Sequence, residues 1–355
     1  MRSNRSRAGE CRPRQRHEGR GLNPARVIAA ACAALFCAFA QAPASAADSG
    51  TLERALDRAF ERYADLEEGE VADYIPALAA ADPDRFGLVA MTVDGDLIAR
   101  GDTEVPFAIM SAAKPFTLAL LMQQSGPDIV REKIGVEPTG MPFNSLIGID
   151  RGQRHGLNPM VNAGAIVTVS LIDAATPEQR WSRILGFYQS LAGAGLDIMA
   201  DVYASVGVSN FRNRAIVNLL ENNGWLGADP VETLDVYNRQ SCVAVTARQL
   251  ATMGATLANA GINPVTEKRV MDAANVDEVL AVMMLAGMYD ESGTWAFAAG
   301  IPAKSGVGGG IVAIVPGRMA IVGFSPRLSA TGNSVRAMRA IADIARDESL
   351  GLFQP

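Results

Sequence analysis

The chain has 355 residues, 49% of them apolar and 20% charged, which is typical of a soluble globular protein with one large core. The first 46 residues carry eight Arg and two Glu, a charge of +6, whereas the remainder holds 24 basic and 36 acidic side chains, a charge of −12. An acidic body repels phosphates, and no basic stripe with interleaved aromatic residues offsets it, so we exclude nucleic acid as a partner.

The N-terminal segment has the layout of an export signal. Arg residues extend to Arg26, an apolar run follows from Val27 to Ala40, and Ala44-Ser45-Ala46 forms a small-residue cleavage site. The apolar run is short for a membrane span, so we expect no stable span after processing. We predict a leader over 1–46 and a periplasmic or secreted protein. The alternative is a mis-assigned start and a cytoplasmic protein.

Cysteine and histidine are scarce beyond this leader. Cys242 is the only cysteine there, which excludes an internal disulfide in the mature chain. His155, in a polar turn, is the only histidine, so a Ser-His-Asp triad would have to use it, and zinc sites built from His and Cys are excluded. We expect no metal and no organic cofactor.

The remaining chain predicts strands near both ends and helices between them. Residues 51–67 have the apolar spacing of an amphipathic helix, and 86–100 give two apolar runs around an Asp94-Gly95 turn, which indicates a hairpin. Three more strands are predicted over 304–324, with a turn at Pro316-Gly317, and a last amphipathic helix over 334–348. Helical periodicity covers 114–124, 163–173, 212–222 and 246–260.

This order indicates an α+β fold. Two strands before the helical middle and three after it imply one antiparallel sheet of about five strands, flanked by the N- and C-terminal helices. We therefore predict a single catalytic domain over 47–355 with an all-helical subdomain inserted at roughly 115–290.

Two short segments together indicate a serine acyl-transfer site. Ser111-Ala-Ala-Lys114 opens an apolar stretch, and Lys304-Ser-Gly-Val-Gly-Gly-Gly310 enters a predicted strand. Ser and Lys three residues apart at a helix start lie on one face, so a desolvated lysine can take the serine proton without a histidine. Pro115 fits best in the first helical turn, where the helix dipole favours negative charge on Ser111 and lowers the pKa of Lys114. The Lys304-Ser-Gly strand would supply donors for an oxyanion.

Each candidate residue also has a purely structural interpretation. Taken alone, Ser111 is an N-cap and Lys114 a solvated residue of the first turn. Tyr74 and Tyr289 are candidates for proton transfer and substrate contact, although tyrosine more often lies at the edge of a core. Asn162 opens a predicted helix, where asparagine is an ordinary N-cap.

From Val71 to about Phe324 the chain resembles the serine-dependent glutaminases, relatives of the β-lactamase and penicillin-binding (transpeptidase) fold. The matching stretches are Ala72–Pro76, Phe107–Lys114, Gly135–Gly140, Pro142–Ser145, Asn158–Ile166, Arg212-Asn213, Tyr237, Gly287–Gly293 and Lys304–Ile311. The resemblance implies a small-molecule amino-acid amide as substrate and a homo-oligomer, either dimer or tetramer.

The resemblance also implies a role for each matched residue. Ser111 would attack the side-chain amide of glutamine, Lys114 would act as the base, and Tyr289 would help to deliver a proton to the departing ammonia. The backbone N–H groups of Ser111 and Val307 would hold the oxyanion. The implied substrate contacts are Tyr74, Ser111, Asn162, Asn213, Tyr237, Tyr289 and Val307.

One position departs from the family pattern. Seven residues before Asn213, where the family has a Glu that meets the substrate ammonium, this chain has Val206, and no carboxylate occurs between 202 and 220. Losing a charge-assisted contact costs on the order of 1.5–3 kcal/mol of binding, so glutamine affinity would fall by tens of fold or more. A group from elsewhere in the fold could instead replace the missing carboxylate.

We therefore expect a glutaminase that converts L-glutamine and water to L-glutamate and ammonia through a Ser111 acyl-enzyme with Lys114 as base. Two alternatives stay open. One is an exported serine amidase or lactam hydrolase of the same fold, with specificity changed by Val206. The other is a binding protein that keeps the scaffold without turnover.

Overall fold

A five-stranded antiparallel sheet joins segments from the two ends of the chain. The computed structural model describes residues 49–150 and 157–354, so the predicted leader and the polar turn with His155 lie outside the described residues. The sheet order is β2-β1-β7-β6-β5, and β3 and β4 form a separate two-stranded ladder. The strands are β1 Gly87–Thr92, β2 Leu97–Gly101, β3 Phe107–Ala108, β4 Ala244–Val245, β5 Ala303–Ser305, β6 Gly310–Val315 and β7 Met319–Phe324.

Two tight turns set the register of the sheet. Gly95, with a φ of +90°, closes the β1–β2 hairpin at the predicted position, and Gly317, with a φ of +69°, closes the β6–β7 hairpin. Glycine adopts these left-handed values without the steric cost of a Cβ. The two hairpins meet along β1 and β7, which pair from Gly87 opposite Phe324 to Thr92 opposite Met319.

Fourteen α-helices complete the described part of the chain. They are α1 Ser49–Tyr63, α2 Pro76–Ala79, α3 Lys114–Ser125, α4 Asp128–Lys133, α5 Ile147–Asp150, α6 Asn162–Leu171, α7 Pro177–Ala192, α8 Ala200–Ser209, α9 Phe211–Asn222, α10 Pro230–Ser241, α11 Ala247–Ala258, α12 Val276–Ala286, α13 Ser292–Ala298 and α14 Val335–Asp347. The four central helices predicted from periodicity correspond to α3, α6, α9 and α11, whereas α7, α8, α10 and α12 were not predicted. None of the described helices is long and apolar enough to cross a bilayer.

The terminal helices lie side by side on one face of the sheet, as predicted. Arg58 of α1 pairs with Asp347 of α14 at 2.7 Å, and Arg62 pairs with Asp343 at 2.9 Å. Beneath these surface ion pairs, buried side chains of both helices pack with the inward face of the strands, including Leu88. Exposed ion pairs contribute little, so burial of the shared apolar face holds the two helices in place.

The opposite face of the sheet packs on α11 and the other central helices. Val89 and Val312 point into this second core. Gly254 of α11 lies so close to the sheet that a Cβ there would meet Val312 Cγ2 at 2.7 Å. Because both faces are covered, β6 and β7 are buried along their whole length, which explains why they appear in the sequence as continuous apolar runs. The predicted α+β class, with its five-stranded antiparallel sheet, is confirmed.

Candidate active site

Ser111 lies in a short 3₁₀ helix, Met110–Ala113, between β3 and α3. We call this segment the serine turn. Pairing of β3 with β4 fixes the chain just before it, and Met110 enters the turn with a left-handed φ of +48°. The N-cap positions of the serine turn and of α3 are Ile109 and Ala113. Ser111 therefore caps neither helix, which removes its structural interpretation.

Lys114 begins α3 with its amine turned back towards Ser111. The side chain is only 2% exposed, and its Nζ lies 3.0 Å from Ser111 Oγ. Pro115 follows in the first helical turn, as predicted. Burial of the amine in this apolar setting lowers the pKa of Lys114 to about 7. A neutral amine beside a hydroxyl can accept the hydroxyl proton.

Asn162 connects Lys114 to two further residues named from the sequence. Its Oδ1 accepts hydrogen bonds from Lys114 Nζ at 2.7 Å and from the Tyr237 hydroxyl at 3.2 Å. Its Nδ2 donates to Asn213 Oδ1 at 2.9 Å. Asn162 is the first residue of α6, and the N-cap position belongs to Val161. The amide is therefore part of a polar network around the lysine and does not cap its own helix.

Tyr289 approaches Ser111 from the other side. It adopts a left-handed φ of +58°, which is costly for an aromatic residue and is held by surrounding contacts. Its hydroxyl donates to the Ser305 carbonyl at 3.2 Å. Burial raises the pKa of Tyr289 to about 12, although interactions with Ser111 and Ser305 oppose the shift. The ring packs on Phe143 with centroids 4.7 Å apart.

The Lys304-Ser-Gly segment forms β5 and passes directly behind the serine turn. A Cβ on Gly306 would lie 2.6 Å from the Ile109 carbonyl oxygen and 3.2 Å from the Ser111 nitrogen, so only glycine fits there. Lys304 is fully buried, and its Nζ lies 3.9 Å from the Tyr289 ring centroid. Burial, together with nearby Lys114, holds the pKa of Lys304 well below its usual value. The two segments predicted to act together are thus in contact.

A cavity of about 130 Å³ opens above Ser111. Tyr74, Val206 and Val307 line it together with Ser111, Asn162, Asn213 and Tyr237. The remaining two site residues named from the sequence, Lys114 and Tyr289, interact with Ser111. Tyr74 is 54% exposed, whereas Val206 is 6% exposed. The complete lining is Tyr74, Ile75, Met110, Ser111, Phe143, Asn144, Asn162, Val206, Ser209, Asn210, Arg212, Asn213, Tyr237, Asn238, Ser241 and Val307.

A second, larger cleft of about 760 Å³ adjoins this cavity. The two spaces share Tyr74, Phe143, Asn144 and Val307 as lining residues. The larger cleft carries the carboxylates, namely Glu68, Glu70, Asp73 and Asp290. The larger cleft is therefore acidic, whereas the described lining of the smaller cavity contains no carboxylate.

Several lining residues were not predicted. Phe143 and Asn144 fall in a stretch matched by the resemblance, yet nothing in their local pattern indicates that they reach the serine. Asn210, between α8 and α9, donates a hydrogen bond to Asn238 of α10 at 2.7 Å, a pairing with no sequence signal. Among residues 49–150 and 157–354 no group of three or more His, Cys, Asp or Glu side chains could hold a metal ion.

Comparison with known proteins places this geometry in a family. The family model described as Glutaminase matches residues 69–353. A glutaminase of Mycobacterium ulcerans (strain Agy99) is 47% identical over 312 residues, covering 88% of this chain and 97% of the relative. The structure of a probable glutaminase, ybaS, is 45% identical with a TM-score of 0.85, covering 87% of this chain and 100% of that one. The structure of Mglu in its glutamate form is 36% identical with a TM-score of 0.81, covering 85% of this chain and 70% of that one. The chain therefore belongs to the glutaminase family of hydrolases and has its β-lactamase-like fold.

Proposed function

We propose that this protein hydrolyses the side-chain amide of L-glutamine to L-glutamate and ammonia through an acyl-enzyme on Ser111. The observation that carries the proposal is the 3.0 Å contact between Ser111 Oγ and a buried lysine whose pKa is about 7. At neutral pH much of this lysine population is uncharged and able to act as a base.

Lys114 is oriented for proton transfer by Asn162. A neutral amine has two N–H bonds and one lone pair. The 2.7 Å contact with Asn162 Oδ1 engages one N–H, which leaves the lone pair free to face the Ser111 hydroxyl. Ser111 Oγ then attacks the amide carbon as its proton passes to Lys114.

The oxyanion that forms needs donors that are already in position. The backbone N–H groups of Ser111 and Val307 are the candidates, since Gly306 allows their two segments to approach each other closely. Each such donor contributes about 3 kcal/mol to transition-state stabilisation in other acyl-transfer enzymes.

Tyr289 is placed to complete the proton path. With a pKa of about 12 it stays protonated at neutral pH, and its hydroxyl contacts Ser111. It can therefore donate to the departing nitrogen and be reprotonated from Lys114. The C–N bond breaks, ammonia leaves, and the acyl group remains on Ser111 Oγ. Water then attacks the ester, with its proton accepted by Lys114, and glutamate is released.

The amino-acid end of the substrate would lie against Tyr74, Asn213 and Tyr237. Two findings support an amino-acid-sized ligand. The cavity of about 130 Å³ suits a small molecule, and Mglu has been crystallised in a glutamate form.

The test is release of ammonia and glutamate from L-glutamine by the purified protein, combined with labelling of Ser111 by an acylating glutamine analogue. Ser111→Ala should abolish both turnover and labelling. Ser190→Ala, which removes an exposed hydroxyl on α7, should change neither. Absence of turnover and labelling in the wild type would refute the proposal and favour the binding-protein alternative.

We further propose export through the predicted leader and assembly into a homo-oligomer. The leader's charge and apolar layout support export. N-terminal sequencing of protein from the periplasm or medium should begin near residue 47, and light scattering should give a dimer or tetramer. An uncleaved cytoplasmic chain would refute the proposed export, and a monomer would refute the proposed oligomer.

A further inference from the structure

The cavity above Ser111 has no negatively charged side chain among its described lining residues. The wall that includes Val206 is apolar, since Val206 packs in one cluster with Ile75, Met110 and Val307. This observation does not depend on how a substrate is oriented. None of the described lining residues would give an ammonium group an anionic partner.

Some neutral acceptors of the cavity are already engaged. Asn162 Oδ1 accepts two hydrogen bonds, from Lys114 and Tyr237, which uses both of its lone pairs. Asn213 Oδ1 and Asn238 Oδ1 each accept one. The acceptors that remain are uncharged, so they would not neutralise the charge of an ammonium ion.

The charge that is present is positive. Arg212 is the one charged side chain among the described lining residues, and its Nε donates to the Asn144 carbonyl at 2.8 Å. A cationic, carboxylate-free cavity favours a substrate carboxylate and disfavours a substrate ammonium. Desolvating an ammonium without a partner is costly even when neutral acceptors remain.

We propose that the preferred substrates are primary carboxamides with a carboxylate but no positive charge at the α position, either 4-carbamoylbutanoate or α-N-acylated glutamine. This inference rests on the proposed acyl-enzyme chemistry and names its substrate class. The reaction is unchanged: the carboxamide C–N bond breaks, ammonia leaves, and water supplies the oxygen of the new carboxylate. The adjoining cleft shares Tyr74, Phe143 and Val307 with the cavity and is the side to which an N-acyl group would extend.

The experiment compares kcat/KM for L-glutamine, 4-carbamoylbutanoate and N-acetyl-L-glutamine by ammonia release from the full chain. The two substrates without an ammonium group should exceed L-glutamine by about tenfold or more, as expected for an unpaired ammonium. Preference for L-glutamine in the wild type would overturn the inference. Turnover of none of the three, without labelling of Ser111, would instead refute the proposed function.

A matched pair of variants tests whether Val206 sets this preference. Val206→Glu should raise the ratio of L-glutamine to 4-carbamoylbutanoate kcat/KM by tenfold or more. Val208→Glu adds the same charge to the same helix at a side chain that is 75% exposed, and should leave the ratio unchanged. Val206→Gln, without a charge, is the substitute should Val206→Glu not fold, and should move the ratio in the same direction by less. Equal ratios in all variants would show that Val206 does not face the α position.

The opposing hypothesis is that a carboxylate of the adjoining cleft binds the substrate ammonium. If Asp73→Asn or Asp290→Asn selectively lowered L-glutamine turnover in a wild type that preferred L-glutamine, the ammonium would be bound in that cleft and the inference would be wrong. If both variants kept the wild-type preference for substrates without an ammonium group, that preference would stem from the cavity itself.

Discussion

Replacing Lys114 by methionine should abolish activity and at the same time stabilise the protein. Methionine has nearly the same length and fits a buried site without a charge. The wild-type amine is 2% exposed, and burial lowers its pKa from the ordinary 10.5 to about 7. At neutral pH the Lys114 amine is therefore partly deprotonated in the folded protein, whereas it would be protonated in the unfolded chain.

The size of the effect follows from this pKa difference. Each pKa unit corresponds to about 1.4 kcal/mol, so moving the pKa from 10.5 to about 7 costs the wild type about 5 kcal/mol of folding free energy at pH 7. Methionine loses the hydrogen bonds to Ser111 and Asn162, worth roughly 1–2 kcal/mol together. Lys114→Met should thus be more stable by about 3 kcal/mol near neutrality.

The sign of the pH dependence is fixed by linkage. Between the folded pKa of about 7 and the unfolded value of 10.5 the unfolded chain binds more protons, so wild-type stability rises with pH across that window. The advantage of the methionine variant should be greatest at and below pH 7 and shrink towards pH 10.5. Lys304 is present in both proteins, so most of its contribution to the pH dependence of stability cancels when the two free energies of unfolding are subtracted.

Urea denaturation of both proteins between about pH 6 and about pH 9 measures this difference. In parallel, kcat/KM of the wild type should fall on the acidic side with an apparent pKa of about 7, because Lys114 must be neutral to act as base. A stability difference that stays constant with pH, or a methionine variant several kcal/mol less stable than the wild type at neutral pH, would refute the reasoning.

Three further outcomes are expected. Gly306→Ala would place a Cβ 2.6 Å from a backbone oxygen just before the serine turn, so kcat should fall by about 10-fold to 100-fold while unfolding stays cooperative; unchanged kcat would contradict the packing argument. Glu291 accepts a hydrogen bond from Asn333 at 2.5 Å beside the left-handed Tyr289, so Glu291→Gln should lower kcat about tenfold with little change in KM, and an effect on KM alone would oppose this. Thr246→Ala removes the capping box of α11 and should cost about 1 kcal/mol in urea unfolding without changing kcat/KM, whereas a loss of activity would give that helix a wider role.

The sheet was predictable because its signals are local. Continuous apolar runs separated by Asp94-Gly95 and Pro316-Gly317 give both hairpins with their turns. The N-terminal helix was equally clear from its spacing. Counting strands at both ends of the chain predicted a single sheet. The pairing of β1 with β7, which joins the two hairpins, was not predicted.

The missed helices divide into two kinds. Helix α7 begins with Thr176-Pro177 and ends at Gly193 in a left-handed conformation, so its sequence signals were present. Helix α8 is rich in valine, serine and glycine, whose intrinsic preference is against helix. It forms because Val202 and Val206 are buried against the segment around Ile75, a tertiary contact that no local pattern contains.

Part of the site was predictable because, as in the sheet, its signals are local in the sequence. The Ser111–Lys114 contact follows from helical geometry over three residues, and the apolar neighbours correctly indicated a lowered lysine pKa. The meeting of Asn162, Asn213 and Tyr237 depends on the packing of three helices, which the resemblance supplied and the spacing did not. The engagement of the asparagine oxygens could be known only from coordinates.

The central position of β7 in the sheet also bears on when the enzyme becomes active during synthesis. Strands β5 and β6, which bring Gly306 against the serine turn, join the N-terminal hairpin only through β7. A nascent chain that has passed Lys114 already holds Ser111 and Lys114, the proposed nucleophile and base. Gly306 cannot pack against the serine turn until residues 319–324 have left the ribosome and inserted as β7 between β1 and β6. Translation of nearly the whole chain therefore precedes the first turnover.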